Sequence, residues 1–167
     1  MTAIRRLCLM FAAVVPMLAV NAWAQDPAAK PKTLYERLGG YDMIAKIVDD
    51  FGPKLGKDPK IAPVLAGVSA EHRMRNRQLI VEQLCEATGG PCFYIGRTML
   101  SSHQGLGITE DHFKQAGVLM VETLDKFKIA EPERQEFLAI FEKLRPDIVE
   151  KSKEPAPATA KGTTPQP

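Results

Sequence analysis

Few side chains in this sequence can do chemistry. There are three histidines, His72, His103 and His112, and three cysteines, Cys8, Cys85 and Cys92. No His-x-x-x-His, Cys-x-x-Cys or Glu-x-x-His motif occurs, nor a phosphate loop. A zinc or di-iron site made of protein ligands alone is therefore poorly supported. A Ser/His/Asp triad would lack a local elbow motif. His72, in "EHRMRNR", and His112, in "TEDHF", fall in the first turns of predicted helices, where an imidazole is more often packed or solvated than a ligand. His103 differs by context. In "MLSSHQGLGITEDHF" it follows the apolar Met99 and Leu100 and closes a short helical run. Gly105 and Gly107 then let the chain turn away sharply. One imidazole held rigidly beside a flat apolar slot is what a haem iron asks of a protein. Without Cys-x-x-Cys-His, any haem would be held non-covalently.

The elements that must position His103 are helical throughout, and no segment shows strand alternation. "TLYERLGGYDMIAKIVDDF" predicts a short helix, a break at Gly39–Gly40, then a longer helix with Ile44, Ile47, Val48 and Phe51 on its buried stripe. Gly52–Pro53 predicts a kink or stop. "DPKIAPVLAG" reads as a helical turn or connector. Ser69 caps a helix running to about Thr88, with Glu71 in its first turn, and Gly89–Gly90–Pro91 ends it. A short helix from about Arg97 to Gln104 carries His103. Thr109 caps the next, where Phe113, Val118, Val121 and Leu124 lie near one stripe. The last, Glu131 to Lys151, turns Phe137, Ile140, Phe141 and Leu144 inward and bends at Pro146. The expected fold class is all-α.

The two ends read differently. Arg5 and Arg6 precede an apolar run from Leu7 to Val20, and Ala22-Trp23-Ala24 puts small residues at a cleavage site. This is the pattern of a secretory signal peptide over 1–24, cleaved to leave Gln25 first. The rival reading, an uncleaved anchor, has a run interrupted by Pro16 and Asn21 and short of the roughly 20 apolar residues that span a bilayer. The expected location is the periplasm. Removal of 1–24 takes two arginines and no acid, so the net charge falls from +2 to zero. A neutral chain has no electrostatic footprint for nucleic acid or an anionic membrane. Residues 25–32 read as a linker, 33–151 as one compact domain, and 152–167, "SKEPAPATAKGTTPQP", as a disordered tail. Cys85 and Cys92 remain, and either a disulfide or two packed thiols suits them.

"TLYERLGGYDMI", "CEATGGPCFYIGRTM" and "HQGLGITEDHF", in this order and spacing, resemble the group I truncated haemoglobins over about Thr33 to Ile148. The resemblance implies a two-over-two globin sandwich around haem b, with His103 as the proximal iron ligand. The imidazole's other N–H should then bond a backbone carbonyl, most simply one turn back. Tyr94 and Arg97 match positions near the haem edge. Arg97 is thus a candidate propionate partner, with a solvated surface arginine the equal alternative. Met99, Ile108 and Phe113 match pocket-lining positions and would also serve as ordinary core.

The distal side departs from the family. A tyrosine often follows the phenylalanine matching Phe51 and bonds the bound gas, but Gly52 stands there. The common distal glutamine matches Ile80. Helical spacing sets Asn76, Ile80 and Leu84 on the haem-facing stripe with Gln83 beside it. Asn76 is the one polar candidate, and a solvent-facing amide is its alternative. The resemblance thus implies reversible binding of O2, NO or CO at iron held by His103, with NO oxidation to nitrate as the activity to test first and an electron donor as a partner. Peroxidase-like chemistry, haem-based sensing and a haemless adaptor keeping the globin frame are the alternatives.

Overall fold

The computed structural model describes residues 30–150, so the leader, most of the linker and the tail lie outside the described residues. Among those described the regular structure is helical: α1 (Leu34–Leu38), α2 (Tyr41–Lys57), α3 (Ala70–Ala87), α4 (Met99–His103), α5 (Glu110–Lys126), α6 (Glu131–Lys143) and α7 (Arg145–Ile148). The long helices pair as α2 with α3 and α5 with α6, and α2 joins the pairs by packing on α5 as well. Helix α1 closes against α2 and α6, while α4 lies on α7.

Local sequence sets most of these boundaries. Thr33 and Glu36 form a capping box that starts α1. Gly39 and Gly40 then turn the chain at φ of 102° and 78°, a left-handed region that costs glycine little. Ser69 caps α3 through the His72 amide, and Thr109 caps α5. At the end of α3, Thr88 is buried and its hydroxyl donates to the Leu84 carbonyl at 2.7 Å. Pro146 has no N–H to give the Glu142 carbonyl, so α6 ends and α7 restarts around Leu144.

The core lies where the four long helices meet. Ile44, Ile47, Val81, Cys85, Leu124 and Phe137 are all at most 1% exposed there. Two sequence expectations need correction. Of the kink or stop expected at Gly52–Pro53, the stop does not occur: α2 continues to Lys57 with Pro53 inside it. Contacts on both sides of Pro53 account for this: Asp50 pairs with Lys54 at 2.8 Å and accepts from Thr123 at 3.0 Å, and Lys54 donates to Thr123 at 3.0 Å. Lys126 also pairs with Asp50. The lost backbone bond is thus bridged by side chains fixed on α5. Val118 is 51% exposed, and Leu119, Met120, Thr123 and Leu124 are buried in its place. Five residues beyond Phe113 the helix has turned about 140° past the inward direction.

Candidate functional site

His103 sits in the last turn of α4, at the end of a chain of short-range bonds. Thr98 caps this five-residue helix by accepting from the Ser101 amide at 3.2 Å. The Arg97 guanidinium donates to the Ser101 carbonyl. Tyr94 donates its hydroxyl to the Arg97 carbonyl at 2.7 Å, and burial raises its pKa, so it stays a donor. His103 Nδ1 is 2.8 Å from the Met99 carbonyl oxygen, one turn back. A carbonyl only accepts, so this contact puts the imidazole proton on Nδ1 and leaves the Nε2 lone pair available. That is the tautomer a metal-binding imidazole uses, with its orientation fixed by the second nitrogen.

Glu150 closes the segment behind His103. Its carboxylate accepts from the amides of Gly105 and Gly107, the latter at 3.2 Å, and its own amide donates to the Ile108 carbonyl at 2.8 Å. The sequence offered no sign of this clasp.

A second feature is a cleft of about 950 Å³ bounded by α2, the turns through 62–68 and α3. Gly52, Leu55, Leu65, Val68, Met74 and Ile80 give it an apolar wall, with Asn76 among them. A Cβ at Gly52 would meet no atom within 4 Å, so the space of the missing ring is open. Two of the cationic side chains at its border are engaged with other lining residues: Arg77 forms a two-pronged pair with Asp49 at 2.8 Å, and Arg73 donates to the Val68 carbonyl. Asn76 makes no side-chain hydrogen bond among the described residues and is exposed.

The predicted site residues divide accordingly. Asn76 and Ile80 line the cleft, while Tyr94, Arg97, Met99 and His103 belong to the α4 segment. Ile108 is half-buried behind it. Leu84, Phe51 and Phe113 are not in the cleft wall. Leu84 is 8% exposed in the core, where α3 meets α2. Phe113 is 2% exposed, stacks on Phe141 at 4.8 Å and carries the Arg145 guanidinium over its ring at 4.6 Å. Phe51 meets Phe141 edge-on at 6.3 Å. Burying these large rings against one another outweighs leaving them at an open wall. Arg97 spends its guanidinium on its own segment, which favours neither earlier reading outright. The other two histidines serve helix starts: the His112 ring accepts from the Thr109 amide at 3.2 Å, and the His72 amide donates to Ser69.

Among exposed apolar residues, Phe93 and Ile95 were not singled out from the sequence, whereas Leu100 and Ile80 were. Phe93 and Ile95 are 77% and 76% exposed, Leu100 54% and Ile80 41%. Phe93, Ile95 and Leu100 belong to the same stretch of chain as His103, so exposed apolar side chains and the imidazole share this segment, while Ile80 stands on the cleft wall.

A family model described as bacterial-like globin matches residues 33–150. The chain is 29% identical over 120 residues to the Group 1 truncated hemoglobin GlbN of Mycolicibacterium paratuberculosis, across 72% of this chain and 86% of that one. It is 35% identical over 81 residues to the Nostoc commune protein of the same name, across 48% and 66%. Among solved structures, THB1 of Chlamydomonas reinhardtii aligns with a TM-score of 0.60 at 29% identity, over 72% of this chain and 98% of that one. The Fe(III) truncated hemoglobin of Tetrahymena pyriformis aligns with a TM-score of 0.66 at 23% identity, over 72% and 100%, a likeness of fold alone.

Proposed function

Because this chain belongs to the bacterial-like globin family and is a group I truncated globin with the two-over-two fold, we propose that its haem is held by His103 and binds a diatomic gas on the side where Gly52, Asn76 and Ile80 stand. The observation that carries the assignment is the Nδ1 contact with the Met99 carbonyl, which fixes the tautomer and presents Nε2. When bound, haem would supply an iron that takes O2, NO or CO. The protein's own part is to orient one imidazole, to cover the apolar macrocycle with residues such as Ile80, Ile95 and Leu100, and to decide how tightly the gas is held.

Gly52 and Ile80 donate nothing, so Asn76 is the polar group that can face the gas. One weak amide in an open cleft favours quick release. NO oxidation to nitrate with bound O2, fed by an electron donor, is the activity to test first, and slow turnover is expected because the gas is loosely held. The basic start, apolar run and Ala-Trp-Ala site support export to the periplasm as a chain beginning at Gln25. N-terminal sequencing of exported protein checks this, and a retained Met1 contradicts it.

Replacing His103 tests the central assignment. His103→Gly should lose the protein-derived axial bond, seen as a shifted Soret band and ferrous spectrum, and added imidazole should restore five-coordinate ferrous character. His72→Ala and His112→Ala should leave the spectra unchanged. A normal spectrum in His103→Gly overturns the assignment.

A further inference from the structure

The segment that carries His103 is bonded closely within itself and sparsely to its surroundings. From Tyr94 to His103 its side-chain bonds span three or four residues. No backbone hydrogen bond joins residues 91–97 to another element. At the far end α4 lies on α7, and Glu150 holds the chain through Gly105, Gly107 and Ile108. At the near end the attachments are a 3.3 Å bond from the Tyr94 amide to Glu86 and the Cys85–Cys92 disulfide, with a Cα–Cα separation of 5.7 Å.

The two sulfurs occupy different surroundings. Cys85 is fully buried in the core, whereas Cys92 is half-buried at its edge. The chain between them is tightly seated: a Cβ on Gly90 would come within 2.5 Å of the Tyr35 ring and 2.7 Å of the Cys85 sulfur. The bridge therefore ties the His103 segment to the core of α3 at one fixed point.

We propose that the Cys85–Cys92 disulfide is a reducible tether that positions the His103 segment, so that a dithiol reductant releases the segment and loosens the protein's hold on haem. The second half rests on the His103 assignment above. The exchange runs through the outer sulfur. A thiolate of the dithiol attacks Cys92, the S–S bond breaks, and Cys85 leaves as a thiolate that takes a proton. The reductant's second thiol then displaces Cys92 and closes a cyclic disulfide. Two electrons and two protons pass to the protein, which ends with two thiols.

The segment stays internally bonded after this step, since none of its bonds within 94–103 uses a cysteine. It then pivots on Glu150 and α7, with the 3.3 Å bond from the Tyr94 amide to Glu86 as its one remaining near-end attachment among the described residues. Cys85 and Cys92 are thus positioning residues, acting on haem through His103 without touching it.

The test uses mature protein, haem-free and haem-loaded, before and after dithiothreitol, with Cys92→Ala as a reductant-independent match. Thiols are first counted on denatured, unreduced protein, with none expected free. Amide exchange should quicken by about tenfold over 91–104 on reduction, a modest share of what closing such a loop is worth, and change less than about twofold in α2 and α5. Haem transfer to an excess acceptor protein should also quicken by about tenfold, and reoxidation should reverse both effects. Two free thiols before reduction overturn the proposal, as does unchanged exchange over 91–104. Equal acceleration in every helix overturns it too, because a bridge that merely stabilises the fold gives that result. Faster exchange with unchanged haem transfer overturns the link to haem. The haem-free exchange measurement does not involve the iron, so it is distinguishable from failure of the His103 assignment, which the His103→Gly spectrum decides.

Discussion

The four long helices and the segment around α4 are held together by opposite means. In the helical frame the deciding contacts are distant in sequence: Phe137 of α6 is buried in one core with Ile44 and Ile47 of α2, Val81 of α3 and Leu124 of α5. The Asp50 network likewise joins α2 to α5. From Tyr94 through α4 the side-chain hydrogen bonds are mostly local, with the long-range Glu150 clasp only behind His103; no residue of the helix is buried, and Phe93 and Ile95 are three-quarters exposed. Long-range burial joins the four long helices into one cooperative frame. Local bonding without burial gives a segment that keeps its internal shape but needs something else to complete its packing. In a globin that something is haem, which the proposed His103 assignment would place against this weakly buried region.

The largest effect should come from breaking the frame. Phe137→Ala removes a ring that is 1% exposed and should cost about 3–5 kcal/mol. Urea unfolding of haem-free protein measures it. On the other side of the comparison, Ile95→Ser should change the same stability by less than about 0.5 kcal/mol. It should instead weaken haem retention, because the side chain then has a partner to lose. Equal losses of stability in both variants would remove the distinction between the regions.

The next effect belongs to the cleft. Gly52 lies in α2 with open space beside it, so Gly52→Tyr brings a hydroxyl to the side where Asn76 is the uncharged polar side chain. O2 release should slow about tenfold to a hundredfold, the worth of a hydrogen bond to a strongly polarised group, about 1.5–3 kcal/mol. Stopped-flow displacement by CO reads it. An unchanged rate would mean that Pro53 turns the ring aside or that Asn76 or a water already supplies the bond.

Acid should also separate the regions. Burial alone would raise the Asp50 pKa, but hydrogen bonds from Lys126, Lys54 and Thr123 outweigh it and hold the carboxyl at about 2. A carboxylate depressed on folding contributes its stability above the unfolded pKa near 3.8 and loses it as pH falls towards 2. The contribution is about 1–2 kcal/mol after allowance for the exposed Lys126. Stability of haem-free protein should therefore fall between about pH 4 and 2, and Asp50→Asn should flatten that part of the profile.

How much of this was legible in the sequence follows from the same contrast. Features set within a few residues could be read: the Ser69 and Thr109 caps, the Gly39–Gly40 break, and the carbonyl one turn behind His103. Features set across the fold could not. Pro53 read as a kink or a stop, and local reasoning could not choose between them because the partners Thr123 and Lys126 lie more than 70 residues away. Leu84 and Phe113 sat on plausible stripes, but which neighbour a stripe meets depends on where α2 and α6 lie. The Glu150 clasp joins residues 43 and 45 positions apart, and nothing in "GLG" or "DIVE" announces it. The cleft wall at 62–68 carries no motif at all.

The smallest effect should come from the cap of α4, and it examines the comparison most directly. Thr98 satisfies the Ser101 amide at 3.2 Å in a helix too short to be stable alone. Replacing a threonine cap by alanine costs about 1 kcal/mol. If the α4 segment were part of the cooperative frame, Thr98→Ala would lower global stability by that amount. The segment is instead bonded within itself, so the cost should appear as local opening. Amide exchange at Ser101–Gln104 should quicken about fivefold, the factor that 1 kcal/mol gives, while the urea midpoint of haem-free protein stays put. In the haem-loaded protein the same variant should show a smaller acceleration, because the bond from His103 to iron would now hold the helix from its other face. A shifted midpoint with uniform exchange would join α4 to the frame and undo the division between the regions.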